Sequence, residues 1–250
     1  MTPSGERPNN PMTATQPTRM YAVLLGLLMA TGAIVYDIVS THQPEGPQFS
    51  QELSDVILPM PKPIQAFHLL DHNRKVFDLE QLKGKWSFIF FGYTHCPDVC
   101  PTAMAILAEL FERLKKHAPD ALMDTRLIFV TVDPERDTPE HLRQYVGYFN
   151  PDFLGVTGEP KEIKAFANQL GALYFKGSQF KDADKPPAKP TQELTEEEKM
   201  VSHTSAFFLM DPLGRMLAIF PEYNNSDMIF EDYKRIRTFA KIHNLYQEKP

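Results

Sequence analysis

The run WSFIFFGY at Trp86 to Tyr93, followed at once by THCPDVCP at 94 to 101, decides how this chain is read. Apolar and aromatic side chains fill nearly consecutive positions instead of alternate ones, the pattern of a strand buried on both faces. Downstream of the cysteines, Met104, Leu107, Phe111 and Leu114 recur at helical spacing between Cys100 and Ala118. Glu109, Glu112, Arg113, Lys115 and Lys116 occupy the opposite face. A buried strand, a cysteine-bearing turn and an amphipathic helix thus follow one another directly.

Working outward, RLIFVTV at Arg126 to Val132 predicts a second buried strand, and Thr138-Pro139-Glu140 opens a helix with a hydroxyl cap, Pro in the first turn and an early carboxylate. Phe153 to Thr157 predicts a short strand and Lys161 to Leu170 a third helix. SAFFLM at 205 to 210 and RMLAIF at 215 to 220 flank Asp211-Pro212-Leu213-Gly214, whose residues suit a tight turn, so the two runs predict a hairpin. Met228 to Asn244 closes the chain as a helix with Ile229, Tyr233, Ile236 and Phe239 in one stripe. Strands alternating with helices, then a hairpin and a helix, predict an α/β fold, a thioredoxin-like sandwich with a central mixed sheet. Parallel strands open their C-terminal ends on one edge, where ligand sites collect. Cys96 and Asp133 therefore share an edge, and a strand running antiparallel from Ser205 brings His203 towards it.

The chemistry follows from the residue types. Cysteines four apart at the start of a helix present both sulfurs to one side, and a helix N-terminus favours thiolate over thiol. Two thiolates and an imidazole form a soft donor set suited to Cu(I), with Cu(II) also open, whereas structural zinc asks for a fourth protein ligand. Cys96, Cys100 and His203 are the candidate ligands. An isolated C-x3-C can equally be a structural disulfide or a pair of buried thiols. His95 competes with His203, although its neighbour along an extended chain faces the other way. Asp98 reads either as a modulator of the thiols or as an acid explained by the helix dipole. In DPERDT at 133 to 138, Asp137 and Thr138 are accounted for as turn and cap, which leaves Asp133 and Arg136 as shapers of the site.

The rest of the chain sets the context. A net charge of -6 removes the electrostatic footprint that nucleic-acid binding needs. Two cysteines in all exclude a multi-disulfide framework. Residues 20 to 36 carry no charge, with Arg19 before and Asp37 after, a short but sufficient membrane span. A cleaved signal peptide is the rival, without a clear A-x-A site near Tyr36. Arg7 and Arg19 ahead of the run put the N-terminus inside. No Arg-rich, acid-poor transit peptide is evident in the first eighteen residues. The expected layout is a cytoplasmic tail at 1–19, an anchor at 20–39, a linker at 40–62 and a domain at 63–246. Its home is a bacterial inner membrane, with the domain in the periplasm.

FGYTHCPDVCP at 91 to 101, VTVDPERDT at 130 to 138 and SHTSAFFLMDPLGR at 202 to 215 together resemble the Sco/SenC proteins. The resemblance runs from about Pro63 to Asn244. It implies copper bound by Cys96, Cys100 and His203, and an acidic motif at Asp133 to Asp137. It also implies a role in assembling the binuclear copper site of cytochrome c oxidase subunit II, by copper delivery or by reduction of that site's cysteines. The client, or another copper-accepting protein, and the copper donor are implied partners. A polar, Pro-rich insertion at 177–200 departs from the family pattern. The competing activity, thiol:disulfide exchange, would use Cys96 as nucleophile and Cys100 as resolving thiol. Against it, thioredoxin-type enzymes face their cysteines with a proline, and none lies between Thr191 and Asp211. A peroxidase using a cysteine after a buried strand is a third, weaker reading. The chain is expected to be a metallochaperone before an enzyme.

Overall fold

A computed structural model describes residues 16–41, 56–176, 201–203, 206–221, 225–243 and 245. The chain divides into two compact units, 1–46 and 47–250. In the first, α1 (Gln16–Thr41) is one continuous helix of 26 residues, with Leu24, Leu25, Leu27, Leu28, Met29 and Ile34 all exposed. It covers the expected anchor, but among the described residues no helix is long and apolar enough to cross a membrane.

The second unit is built on β4 (Trp86–Gly92), in which every residue is buried. It pairs in parallel with β5 (Thr125–Thr131), register Trp86 to Thr125 through Gly92 to Thr131, and β5 pairs in parallel with β6 (Leu154–Thr157). On the other side β9 (Phe207–Met210) runs antiparallel to β4, Phe90 opposite Phe207 and Ser87 opposite Met210. The hairpin partner β10 (Met216–Phe220) follows through a turn in which Asp211 Oδ1 accepts from the Leu213 and Arg215 amides. The sheet is completed by β1 (Ile57–Lys62) beside β10, and by β2 (His68–Asp71) and β3 (Val76–Asp78) beyond β6. Its order is β1-β10-β9-β4-β5-β6-β2-β3, the mixed sheet expected.

The alternation of β4 distributes its side chains to two layers. Trp86 and Phe88 meet Tyr233 of α7 (Ser226–Ile242) edge-on, whereas Phe91 packs on Phe166 of α6 (Pro160–Leu170) and on Phe208. α3 (Val99–His117) buries Cys100, Met104, Leu107, Phe111 and Leu114. α5 (Pro139–Phe149) begins as expected, with the Thr138 side chain accepting from the His141 amide and Pro139 at its start. Short helices α2 (Leu79–Leu82) and α4 (Pro119–Met123) fill the connections.

Two stretches differ from expectation. Residues 57–62, counted with the linker, form β1, an edge strand that tolerates Pro59 and Pro61 because one side of it needs no partner. After α6, β7 (Tyr174–Lys176) and β8 (Val201–His203) pair as a separate two-stranded ribbon, Tyr174 opposite His203. The polar insertion at 177–200 lies outside the described residues.

Candidate metal centre

The parallel pairing of β4 and β5 brings their C-terminal ends together, and the ladder runs on as the Val132 amide donates to the Gly92 carbonyl at 2.8 Å. The next residues of each strand build the site. From β4 come Tyr93, which is buried, and the turn 94–98, closed by the Cys96 amide on the Tyr93 carbonyl at 3.2 Å. α3 then starts with Cys100 in its first turn, and the Cys100 amide points at Cys96 Sγ at 3.4 Å. Cys96 is half-buried, Cys100 fully buried, and no disulfide joins them.

The sulfurs interact directly. The Cys100 thiol is pushed well above its ordinary range, first by its hydrogen bond with Cys96, then by burial. Negative charge on Cys96 and Asp137 acts in the same direction, and a backbone hydrogen bond at Tyr93 only partly opposes it. The helix start was expected to favour thiolate at both positions. At Cys100 the opposite holds, because its sulfur sits inside the protein beside another sulfur, where a second negative charge is poorly tolerated.

Room for that sulfur depends on Gly92. A side chain at this position would place its Cβ 3.0 Å from Cys100 Sγ and 2.8 Å from the Phe129 ring. Near the same floor lies Tyr145 of α5, whose buried hydroxyl has no hydrogen-bond partner among the described residues. Burial raises its pKa first, and charge on Cys100, Cys96 and Asp137 raises it further.

The turn after β5 holds the cysteine loop in place. Its own shape comes from the Asp133 carbonyl, which accepts from the amides of Arg136 (3.2 Å) and Asp137 (3.0 Å). The buried Asp133 carboxylate pairs with the Arg136 guanidinium, which lies 5.8 Å over the Tyr93 ring. Asp137 is the residue the turn reading undervalued. Fully buried, it accepts from the Thr94 amide (2.9 Å), the Thr94 hydroxyl (2.6 Å) and the Thr131 hydroxyl (2.6 Å), and so ties the cysteine loop to the end of β5. Asp98 is exposed and stands at the N-cap of α3, but its carboxylate makes no capping hydrogen bond.

β9 runs back from the same edge, since Phe207 faces Phe90 near the end of β4. His203 belongs to β8, a few residues before Ala206, where the described chain re-enters the core. The side chain of His203 lies outside the described residues. Among the described residues no three His, Cys, Asp or Glu side chains form a metal-binding group.

Comparison with known proteins agrees in extent and in fold. The SCO1/SenC family matches residues 59–238. An SCO2-like protein of Rickettsia felis is 34% identical over 198 residues, covering 79% of this chain and 87% of its own. The structure of Bradyrhizobium japonicum ScoI with copper bound is 33% identical, with TM-score 0.54 over 71% of this chain and 99% of that one. BsSco, a member of the Sco family of cytochrome c oxidase assembly proteins in which a disulfide switch has been identified, is 28% identical. Its TM-score is 0.52, over 71% of this chain and 95% of that one. A family match spanning most of the chain, on a fold shared with these structures, makes this protein a member of the SCO1/SenC family.

Proposed function

We propose that this protein carries one copper ion on Cys96, Cys100 and His203 and passes it to a copper-accepting client, the binuclear site of cytochrome c oxidase subunit II. The observation that carries the reading is the sulfur pair: one half-buried thiol at the mouth of the site, hydrogen-bonded to a buried one beneath it. Cys96 is reachable by an arriving ion, and Cys100 closes on it as its proton leaves. Two sulfurs and one imidazole suit Cu(I) and leave the ion exposed enough to be handed on by ligand exchange. Copper held by a relative of 33% identity supports the choice of metal. Asp133 and Arg136 hold the loop that carries Tyr93, and Asp98 stands exposed beside the mouth, where a client or donor would approach.

Membrane attachment belongs to the same reading. It rests on the uncharged run 20 to 36 and on the exposed apolar side chains of α1. The charges flanking that run support a copper-binding domain outside a bacterial inner membrane, in the periplasm.

A second reading has its own support. An accessible sulfur hydrogen-bonded to a buried one is also the arrangement of a nucleophile and a resolving thiol, and it suits reduction of the client's cysteines. The two are separated by anaerobic titration of the reduced full chain with Cu(I) against a chromophoric chelator. Wild type should bind one equivalent, His203→Ala should weaken binding severely while its cysteines still oxidise to a disulfide, and Cys96→Ser should lose both properties. A chain that binds no copper yet reduces a client disulfide would establish the thiol exchange reading instead.

A further inference from the structure

Two histidine side chains stand beside the cysteine loop outside the set Cys96, Cys100 and His203. His95, at the start of the cysteine loop, and His141, in the first turn of α5, face each other with ring centroids 6.3 Å apart and planes inclined at 69°. Both rings are exposed on their outer sides. We propose that His95 and His141 form a second copper-holding position, beside Cys96, at which the ion is received before it reaches the cysteine pair. The inference rests on the copper reading and extends it to residues outside the ligand set.

The hydrogen bonds fix which nitrogen each ring offers. His141 Nδ1 lies 3.2 Å from the Arg136 carbonyl, which can only accept, so Nδ1 carries the proton. The Thr94 hydroxyl gives its proton to Asp137 Oδ1 at 2.6 Å, which leaves its oxygen to accept from His95 Nδ1 at 3.1 Å, with Asp137 Oδ1 itself 3.5 Å away. In both rings Nε2 is then the nitrogen with the lone pair. Backing of a ligand imidazole by a carbonyl, or by a carboxylate through a hydroxyl, is the arrangement that fixes the tautomer and orientation of histidines at metal sites.

The spacing agrees. Two imidazole nitrogens opposite each other, each about 2 Å from a copper ion, separate their ring centroids by about 6 Å, close to the distance found, whereas a tetrahedral angle at the metal would bring them to about 5 Å. Two nitrogen donors are few, which suits copper held loosely and displaced by thiolates, and imidazole is an accepted donor for copper. Asp137, fully buried, supplies a negative charge behind His95 that favours a cation there. Arg136, the cation of the same turn, is engaged with Asp133. For Cu(I), movement onward is ligand exchange without electron transfer: two Cu–N bonds break, Cu–S bonds form, and the thiol protons are released; Cu(II) serves below only as a spectroscopic probe of the histidines in a chain without thiols.

The test uses the full chain with Cys96→Ser and Cys100→Ser, titrated with Cu(II) and followed by electron paramagnetic resonance. This background should hold one copper with nitrogen hyperfine structure. Adding His141→Gln should weaken that binding by roughly tenfold or more and change the spectrum. His68→Gln, on an exposed strand elsewhere, should do neither. Identical stoichiometry and spectra with and without His141 would overturn the proposal. Failure of the cysteine site would show separately, as missing Cu(I) in the chain that keeps both cysteines and both histidines.

Discussion

At the scale of single residues, the decisive fact is that Cys96 and Cys100 are unlike. Their sulfurs touch, one reachable and one enclosed, and the enclosed thiol holds its proton more tightly than an isolated cysteine does. A metal must displace that proton. Copper affinity should therefore climb with pH across the neutral range, by about tenfold per pH unit for each proton released. The sign follows from the raised pKa: Cys100 remains a thiol throughout, so lowering the pH favours the metal-free form. Chelator competition at pH 6, 7 and 8 measures it, and an affinity independent of pH would contradict this picture of the pair. That the two cysteines lie together was legible, because a C-x3-C between a buried strand and an amphipathic helix leaves both at one end of the sheet. Asp137 was not. In sequence an acid before Thr-Pro is explained by the turn, and only the folded chain shows Thr94 and Thr131 converging on it.

At the scale of elements, the junction of β4 and α3 is where fold and site meet. A seven-residue strand buried along its whole length fixes where the turn begins, and the helix fixes where the second sulfur sits. Gly92 is the joint between them, with no space for a side chain between Phe129 and Cys100 Sγ. Gly92→Ala should cost about 1–3 kcal/mol of stability through overpacking and weaken copper binding by displacing the Cys100 sulfur. Urea unfolding together with a copper titration checks both, and unchanged values would show that the joint yields freely. The central strands and long helices could be read from periodicity to within a few residues, since each carries a strong hydrophobic pattern. β1, β2, β3, β7 and β8 could not. They have three to six residues each, too few for a period to emerge, and β1 is interrupted by prolines that an edge position allows.

At the scale of the whole molecule, an acidic domain with its site on one sheet edge follows an apolar helix, and attachment to a membrane would hold that site near a membrane-bound client. Alkaline extraction of cell membranes tests the anchor: the chain should stay with the lipid, and release into the soluble fraction would remove that part of the reading. The family and the mixed sheet were legible from three motifs in order. The side chain of His203, which follows the long polar insertion, lies outside the described residues. The central claim is that two sulfurs and this one imidazole hold the ion. X-ray absorption of the full chain loaded with one equivalent of Cu(I) tests it most directly. Two sulfur scatterers and one nitrogen are expected in wild type, with the nitrogen lost in His203→Ala. A first shell that is the same in both proteins would contradict it.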